Sequence, residues 1–410
     1  MQTLMYNLGV HAYGVAIRLG SMFNKKARLW VEGRQRLMER VSEALKGNEA
    51  PIIWFHAASL GEFEQGRPVI EAFKEVHPEY KILVTFFSPS GYEIRKNYKG
   101  ADWIFYMPLD TVRNARRFVD IVKPRKAVFI KYEFWLNHLT RLQQIGCELY
   151  EISAIFRPSQ QFFKPYGERF RTVLRGFRHI FVQNEESKKL LDGIKLDNVT
   201  VTGDTRFDRV LATVAQNQSI ESVERFARGA RVLVAGSTWS PDEELLARLI
   251  EEHRDVKFII APHEIHQDRI DSFISKCSRK SLKYTELKED SDLESAEVLF
   301  IDTIGILSKV YRYGTFGYIG GGFGVGIHNT LEAAGFGLPL AFGPKYKKFA
   351  EACDLISLGA AESINSYEAL NKWFTALKSN EAALKKASQS AAAYVETGRG
   401  ATDRIMKWLA

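Results

Sequence analysis

The chain reads as an α/β protein built from two consecutive doubly wound domains, each a parallel sheet covered by helices. Three observations predict this. Short runs of β-branched and aromatic residues alternate with longer stretches of helical period, the pattern of βαβ units rather than hairpins. The alternation loosens after Val201-Thr202-Gly203 and starts afresh at Val232. A length of 410 residues also exceeds what one ordinary core organises.

From the N-terminus, Met1 to Phe23 is rich in Leu, Met, Tyr, Val and Ala but interrupted by Asn7, His11 and Arg18, and it leads into Lys25, Lys26, Arg28, Arg34 and Arg36. It lacks the basic n-region and cleavage site of a secretory signal and is too interrupted for a clear membrane span. An apolar segment followed by cations fits a helix lying in, or anchored to, an anionic leaflet. A helix packed on the protein itself fits equally well. The first series then predicts strands at Ile52–Phe55, Ile82–Phe87, Trp103–Tyr106, Ala127–Ile130, Leu149–Ser153 and Ile180–Gln183. The polar stretch Gln216 to Ser222 reads as a linker. The second series predicts Val232–Ala235, Phe258–Ala261, Val298–Ile301, Gly317–Ile319 and Pro339–Phe342, and the tail from Tyr367 reads as helices. The expected organisation is an N-terminal segment, 1–34, a first domain, 35–215, and a second, 216–410. Ligands of open α/β sheets bind outside the carboxyl ends of the strands, so strand-end loops facing a cleft become the places to search.

A hydrophobic fraction of 45% with 26% charged residues is that of a folded globular chain. The formal net charge of +8 favours anionic partners such as nucleic acid, phosphorylated sugars or an acidic membrane surface. Cys147, Cys277 and Cys353 are few, odd in number and far apart, which argues against a disulfide framework or a zinc site.

"HAASLGE", His56 to Glu62, ends the first strand with small residues and sets a carboxylate where a helix begins. Ser59 and Glu62 have the S-x-x-E spacing of a capping box, and a first-turn carboxylate also suits the helix dipole. "KYEFW" places Glu133 just past the strand Ala127–Ile130, and "TGDTRFD" places Arg206 near the expected junction, where a guanidinium clamps a phosphate or makes a salt bridge. "GYIGGGFGVGIHNTLEAAGFGLPLAFGP", Gly317 to Pro344, is either a tight turn or a phosphate cradle. Within it Asn329 and Glu332 repeat the cap spacing. Its glycines match neither G-x-G-x-x-G nor G-x-x-x-x-G-K-[ST], which lowers dinucleotide oxidoreductase and P-loop readings. Gly236-Ser237-Thr238 resembles another helix start. His263 and His266 in "APHEIHQDR" find no third metal ligand, and Asp290 and Asp292 sit in a charge-rich run that reads as a solvated loop.

As an ordered set, "WFHAASLGE" with "RPVIEAF", "KYEFWLN" (E-T-E-[IL]-W-P-N in the family), "TGDTRFD" (G-N-x-K-[FY]-D), "AGSTW" and "GGGFGVGIHNTLEAA" resemble the Kdo transferases of Gram-negative bacteria. These enzymes move 3-deoxy-D-manno-octulosonic acid (Kdo) from CMP-Kdo to a lipid A precursor. The resemblance spans essentially the whole chain. It implies the GT-B architecture of two Rossmann-like domains, the acceptor side N-terminal and the nucleotide side C-terminal. It implies an inverting, single-displacement transfer at the cytoplasmic face of the inner membrane; a monophosphate leaving group and the lack of a credible metal motif predict that no cofactor or divalent ion is strictly required, and no nucleic-acid partner is expected. By position Glu62 is the general base, and Glu133 and Arg206 match the glutamate and lysine that steady the transition state. The CMP contacts map to Pro262 and His263, to Ile304, Gly305 and Ile306, and to Asn329, Thr330, Leu331 and Glu332. Three positions depart from the family pattern: its Arg after the proline is His263, its M-G-E is Ile304-Gly305-Ile306, and its Lys is Arg206. The readings that compete with this one are a UDP-sugar-dependent GT-B transferase or epimerase, and a non-catalytic membrane scaffold binding a nucleotide sugar.

Overall fold

In the computed structural model, which describes residues 2–409, the chain forms two seven-stranded parallel sheets. The first contains β1 (Ile52–Ala57), β2 (Lys81–Phe86), β3 (Trp103–Tyr106), β4 (Lys126–Ile130), β5 (Glu148–Ala154), β6 (His179–Val182) and β7 (Val199–Val201), in the order β3-β2-β1-β4-β5-β6-β7. The second contains β8 (Val232–Thr238), β9 (Lys257–Pro262), β10 (Ser281–Lys283), β11 (Val298–Phe300), β12 (Phe316–Ile319), β13 (Leu340–Phe342) and β14 (Ala361–Ser363), in the order β10-β11-β9-β8-β12-β13-β14. Strand order reverses between β1 and β4 in one sheet and between β8 and β12 in the other. Those gaps are the topological switch points where open α/β sheets hold ligands.

The central strands are buried on both faces, which is why they read as continuous apolar runs. In β1, Ile52 and Trp54 enter one core layer while Ile53, Phe55 and Ala57 enter the other. The strands that the sequence pattern did not disclose, β7, β10 and β14, are three-residue edge strands with partly exposed side chains. An edge strand needs only one apolar side, so it carries no such run.

The chain divides into two compact units. One holds the residues up to Arg209 together with the last helix, and the other holds Val210–Arg399. This differs from the expected boundary at 215/216 in two ways. The division falls within the helix Thr205–Ala215, whose first turn is bonded to the first sheet, ahead of the polar Gln216–Ser222 stretch. The helix Ala401–Leu409 also belongs to the first unit rather than to the second. Its Ile405 and Leu409 enter the core beside β5 and β6, and the Trp408 ring stacks on His179 at 3.8 Å. The Asp208 carboxylate accepts from the amides of Gly400 and Thr402, which ties down the start of that helix.

Residues 2–34 pack on the first unit and do not form a separate body. In the helix Gln2–Gly20, the Tyr6 hydroxyl donates to Asp110 at 2.5 Å and the Asn7 side chain accepts from Asn137 at 2.9 Å. The opposite side exposes Leu4, Met5, Leu8, Val15 and Leu19, and beyond the helix Phe23 is 88% exposed. Among the described residues no helix is long and apolar enough to cross a membrane.

Candidate functional site

At the first switch point β1 runs through Ala58 into Ser59, whose extended backbone (φ −141°) precedes the helix Leu60–Val76. The expected capping box is not formed: the Ser59 side chain accepts from no helix amide, and its hydroxyl donates instead to the Glu62 carboxylate. Glu62 thus stays in the first turn, partly exposed, where the dipole favours a carboxylate, and a carboxylate can accept more bonds than the one Ser59 supplies.

Across the gap, β4 ends at Ile130 and the following Lys131 lies in the left-handed region (φ 77°), which turns the chain into Tyr132 and Glu133. Non-glycine residues held there carry strain of the kind found at functional sites. Glu133 is buried. It accepts from the Trp135 indole at 2.6 Å, and its Oε2 lies 3.3 Å from His56 Nε2. His56 is fully buried, with Nδ1 2.8 Å from Thr85 Oγ1, and that oxygen also accepts from the Trp54 indole at 2.7 Å. Burial lowers the His56 pKa, and Glu133 opposes the shift only in part. Glu133 therefore forms the floor of the site, held between an indole and an imidazole.

Arg206 enters from the helix Thr205–Ala215. Near the end of β5 the register slips between Glu151 and Ala154, and Ser153 takes a left-handed conformation (φ 53°). Its hydroxyl meets Thr205 Oγ1 at 3.0 Å, and the Thr205 hydroxyl donates to the Gln65 carbonyl. This bulge fixes the helix start. The Arg206 guanidinium is held on Asp204 Oδ2 at 2.8 and 2.7 Å, so it is braced by a carboxylate. Tyr132 lies close enough to these groups to feel their charge. Burial raises its phenol pKa; nearby Arg157 and Arg206 oppose the rise, while Glu62 and Asp204 add to it. Arg157 approaches the Tyr132 hydroxyl at 3.5 Å. The sequence reading did not single out Tyr132, Arg157 or Asp204, although Tyr132 and Asp204 lie inside quoted motifs and Arg157 precedes Pro158 in the loop after β5.

In the second unit, β8 bulges between Gly236 and Thr238, with Ser237 left-handed (φ 55°), and leads to Trp239. The Trp239 indole donates to His328 Nε2 at 3.0 Å, and the two rings are nearly parallel at 13°. The exposed His263, just after β9, stacks on both, with centroids 4.9 Å from Trp239 and 4.1 Å from His328. Burial and the neighbouring imidazole push the His328 pKa down to about 4, so this platform is neutral at ordinary pH. Pro262 ends β9. Ile304 is 81% exposed, Gly305 turns the backbone (φ 97°), and Ile306 precedes a single helical turn, Leu307–Val310.

Asn329 and Glu332 do not form the expected box either. The Asn329 side chain accepts from the Leu331 amide at 3.1 Å and donates to the Glu332 carboxylate at 3.1 Å, while Thr330 and Leu331 are buried at the start of a five-residue helix. At two glycines the loop is glycine for packing: a Cβ on Gly320 would fall on the Ser237 carbonyl, and one on Gly322 would fall on the Gly343 backbone. Asp292 is engaged by Lys280 at 2.7 Å and by Ser295. Among the described residues no three His, Cys, Asp or Glu side chains cluster as metal ligands would.

The family model described as 3-deoxy-D-manno-octulosonic-acid transferase (kdotransferase) matches residues 35–209. The chain is 29% identical to a 3-deoxy-D-manno-octulosonic acid transferase of Rickettsia felis, over 87% of this chain and 78% of the relative. It is 26% identical to one of Chlamydophila psittaci, over 76% and 73%. Its fold is similar to that of UDP-GlcNAc 2-epimerase from Neisseria meningitidis bound to UDP-GlcNAc (TM-score 0.62, 15% identity, 87% of this chain and 99% of that one). It is also similar to Acinetobacter baumannii MurG (TM-score 0.51, 14% identity, 87% and 99%). At those identities the two solved structures speak for the fold alone. The match over residues 35–209 and these relatives support a Kdo transferase, an enzyme of the glycosyltransferase class, and the two parallel-sheet units have the GT-B architecture.

Proposed function

We propose that the chain transfers Kdo from CMP-Kdo to a lipid A precursor, a tetraacylated disaccharide bisphosphate, by inverting single displacement. Glu62 takes the proton from an acceptor hydroxyl. The freed oxygen bonds to the anomeric carbon of Kdo as the bond to the CMP phosphate breaks, with its electrons leaving on CMP. One carboxylate suffices as base because no glycosyl-enzyme intermediate forms. Arg206, braced by Asp204, and Arg157 lend positive charge to the leaving phosphate, while the buried Glu133 offers negative charge to the oxocarbenium-like sugar. CMP is held by Pro262 and His263, Ile304 to Ile306 and Asn329 to Glu332, with the neutral Trp239–His328 platform suited to a nucleobase. The observation that carries the reading is the grouping of a first-turn carboxylate, Glu62, with Tyr132 and two guanidiniums at the first switch point.

Under this reading the enzyme works at the cytoplasmic face of the inner membrane, held by residues 1–34. The exposed apolar side of the helix Gln2–Gly20 supports this. Deleting residues 1–23 is expected to release much of the protein from membranes, and full retention would refute that role. The decisive experiment incubates the protein with CMP-Kdo and the tetraacylated bisphosphorylated disaccharide and weighs the product, which reports donor, acceptor and number of additions together. Turnover of UDP-N-acetylglucosamine but not CMP-Kdo would refute the donor. Binding of CMP without any transfer would favour a scaffold.

A further inference from the structure

A cavity of 920 Å³ opens on the first unit between the helix Gln2–Gly20, the segment Trp30–Glu39 and the stretch Pro108–Arg117. Its lining is cationic: Arg18, Arg34, Arg36, Arg113 and Arg117 face one carboxylate, Glu39, which is taken by Arg117 at 2.9 Å. Among the described residues Arg18, Arg36 and Arg113 form no ion pair. Arg34 donates to the carbonyls of Met107, Trp30 and Phe87 and lies 3.8 Å from the Trp30 ring centre. It is a fixed cation satisfied by dipoles rather than by an acid. Guanidiniums gathered in this way repel one another until an anion with several acceptor oxygens enters, and phosphate suits their planar donors.

The helix that walls the cavity adds a second requirement. Asn7, His11, Gly14 and Arg18 recur at helical spacing and line the cavity, while Leu4, Leu8, Val15 and Leu19 form an exposed stripe on the adjoining face, with Val15 at the cavity's edge. A cationic hollow beside an unpartnered apolar stripe is complementary to one class of molecule, an amphiphile with an anionic head. We propose that this cavity binds the phosphate of an anionic phospholipid headgroup, with the acyl chains lying along the Leu4–Leu19 stripe. The proposal rests on the membrane placement given above and adds a discrete site to it, apart from the Glu62 group.

The test uses the full chain and two kinds of vesicle, phosphatidylcholine alone and phosphatidylcholine with phosphatidylglycerol. Wild type should partition preferentially onto the anionic vesicles. The double substitution Arg36→Gln with Arg113→Gln should weaken that partitioning roughly 30-fold, as the loss of two juxtamembrane cations implies. The pair Arg228→Gln with Arg254→Gln removes the same charge from acid-paired positions of the second unit and should change it little. Leu8→Glu with Leu19→Glu should abolish retention on both kinds of vesicle. Equal losses from the two arginine pairs, or no preference of wild type for anionic vesicles, overturns the site. Inorganic phosphate that raises the melting temperature of the lipid-free protein through Arg36 and Arg113 as strongly as vesicles do would assign the cavity to free phosphate and overturn the lipid. Retention of wild type on vesicles of phosphatidylcholine alone is read separately, so failure of the membrane placement is distinguishable from failure of this site.

Discussion

Glu151 offers a test of the first unit that needs no substrate. It lies in β5, pairs in register with Phe129 of β4 and is wholly buried. Neither carboxyl oxygen has a hydrogen-bond partner at normal geometry. Burial pushes its pKa well up, the Glu133 carboxylate adds to the rise, and the Glu133 backbone amide opposes it only in part. The folded protein therefore keeps this proton. At pH below the ordinary glutamate range, about 4.3, the group is neutral folded or unfolded and adds no pH dependence to stability. As pH rises, the unfolded carboxyl ionises while the folded one does not, and stability falls by about 1.4 kcal/mol per pH unit until the folded pKa is reached. Glu151→Gln removes that slope. Its amide also lacks partners, at a cost of about 1–3 kcal/mol, but that cost does not vary with pH. Urea unfolding of both proteins from pH 5 upward should show the variant gaining on wild type at about that rate until the folded pKa is passed. A difference that stays constant with pH would mean that Glu151 is ionised in the fold, and the reasoning would fail.

Three further outcomes are expected. Glu62→Gln should lower kcat by roughly 10²- to 10⁴-fold while CMP binding is retained, measured by single-turnover kinetics and calorimetry, and transfer at an undiminished rate would remove Glu62 as base. His328 should stay neutral down to about pH 4 when its ring protons are followed by NMR, and folded-state stability carried by this residue should decline as pH falls from the ordinary histidine range through that value. Ile405→Ala should cost about 2–5 kcal/mol in the unfolding of the first unit and nothing in the second, because its side chain is buried against β5 and β6.

What the sequence disclosed and what it hid follow from how far each signal reaches along the chain. Central strands such as β1 and β4 are buried on both sides, so every residue reports its environment and the apolar run is visible. Edge strands are paired on one side, and the three-residue β7, β10 and β14 are too short for any run. The period of Ala401–Leu409 discloses a helix with an apolar face, but a face does not say which sheet it will cover. That depends on Asp208, almost two hundred residues earlier, waiting for the Gly400 and Thr402 amides. The loop motifs were visible because each contains its own strand end and helix start. Arg157 gains significance only beside Tyr132 from another stretch of the chain, whereas Asp204 sits two residues from Arg206 and an acidic residue next to an arginine carries no distinctive sequence signal.

The two glutamates at helix starts show why spacing alone could not divide structure from function. In a capping box the N3 carboxylate is spent on the N-cap amide, and recruiting it for another proton breaks a bond that orders the helix. At Ser59–Glu62 and at Asn329–Glu332 the same spacing is used differently: the side chain at the start donates to the glutamate, and the Ser59 side chain accepts from no helix amide while that of Asn329 accepts from the Leu331 amide. A hydroxyl can rotate away from a carboxylate without unwinding a turn. Ser59 therefore aims Glu62 without locking it to the backbone, and Ser59→Ala is the substitution that separates the two uses. It should leave helix stability nearly unchanged, because no capping bond is lost, while lowering kcat through a less oriented base. If it instead destabilised the first unit by the roughly 1 kcal/mol of a lost cap with kcat intact, Glu62 would be a structural residue after all.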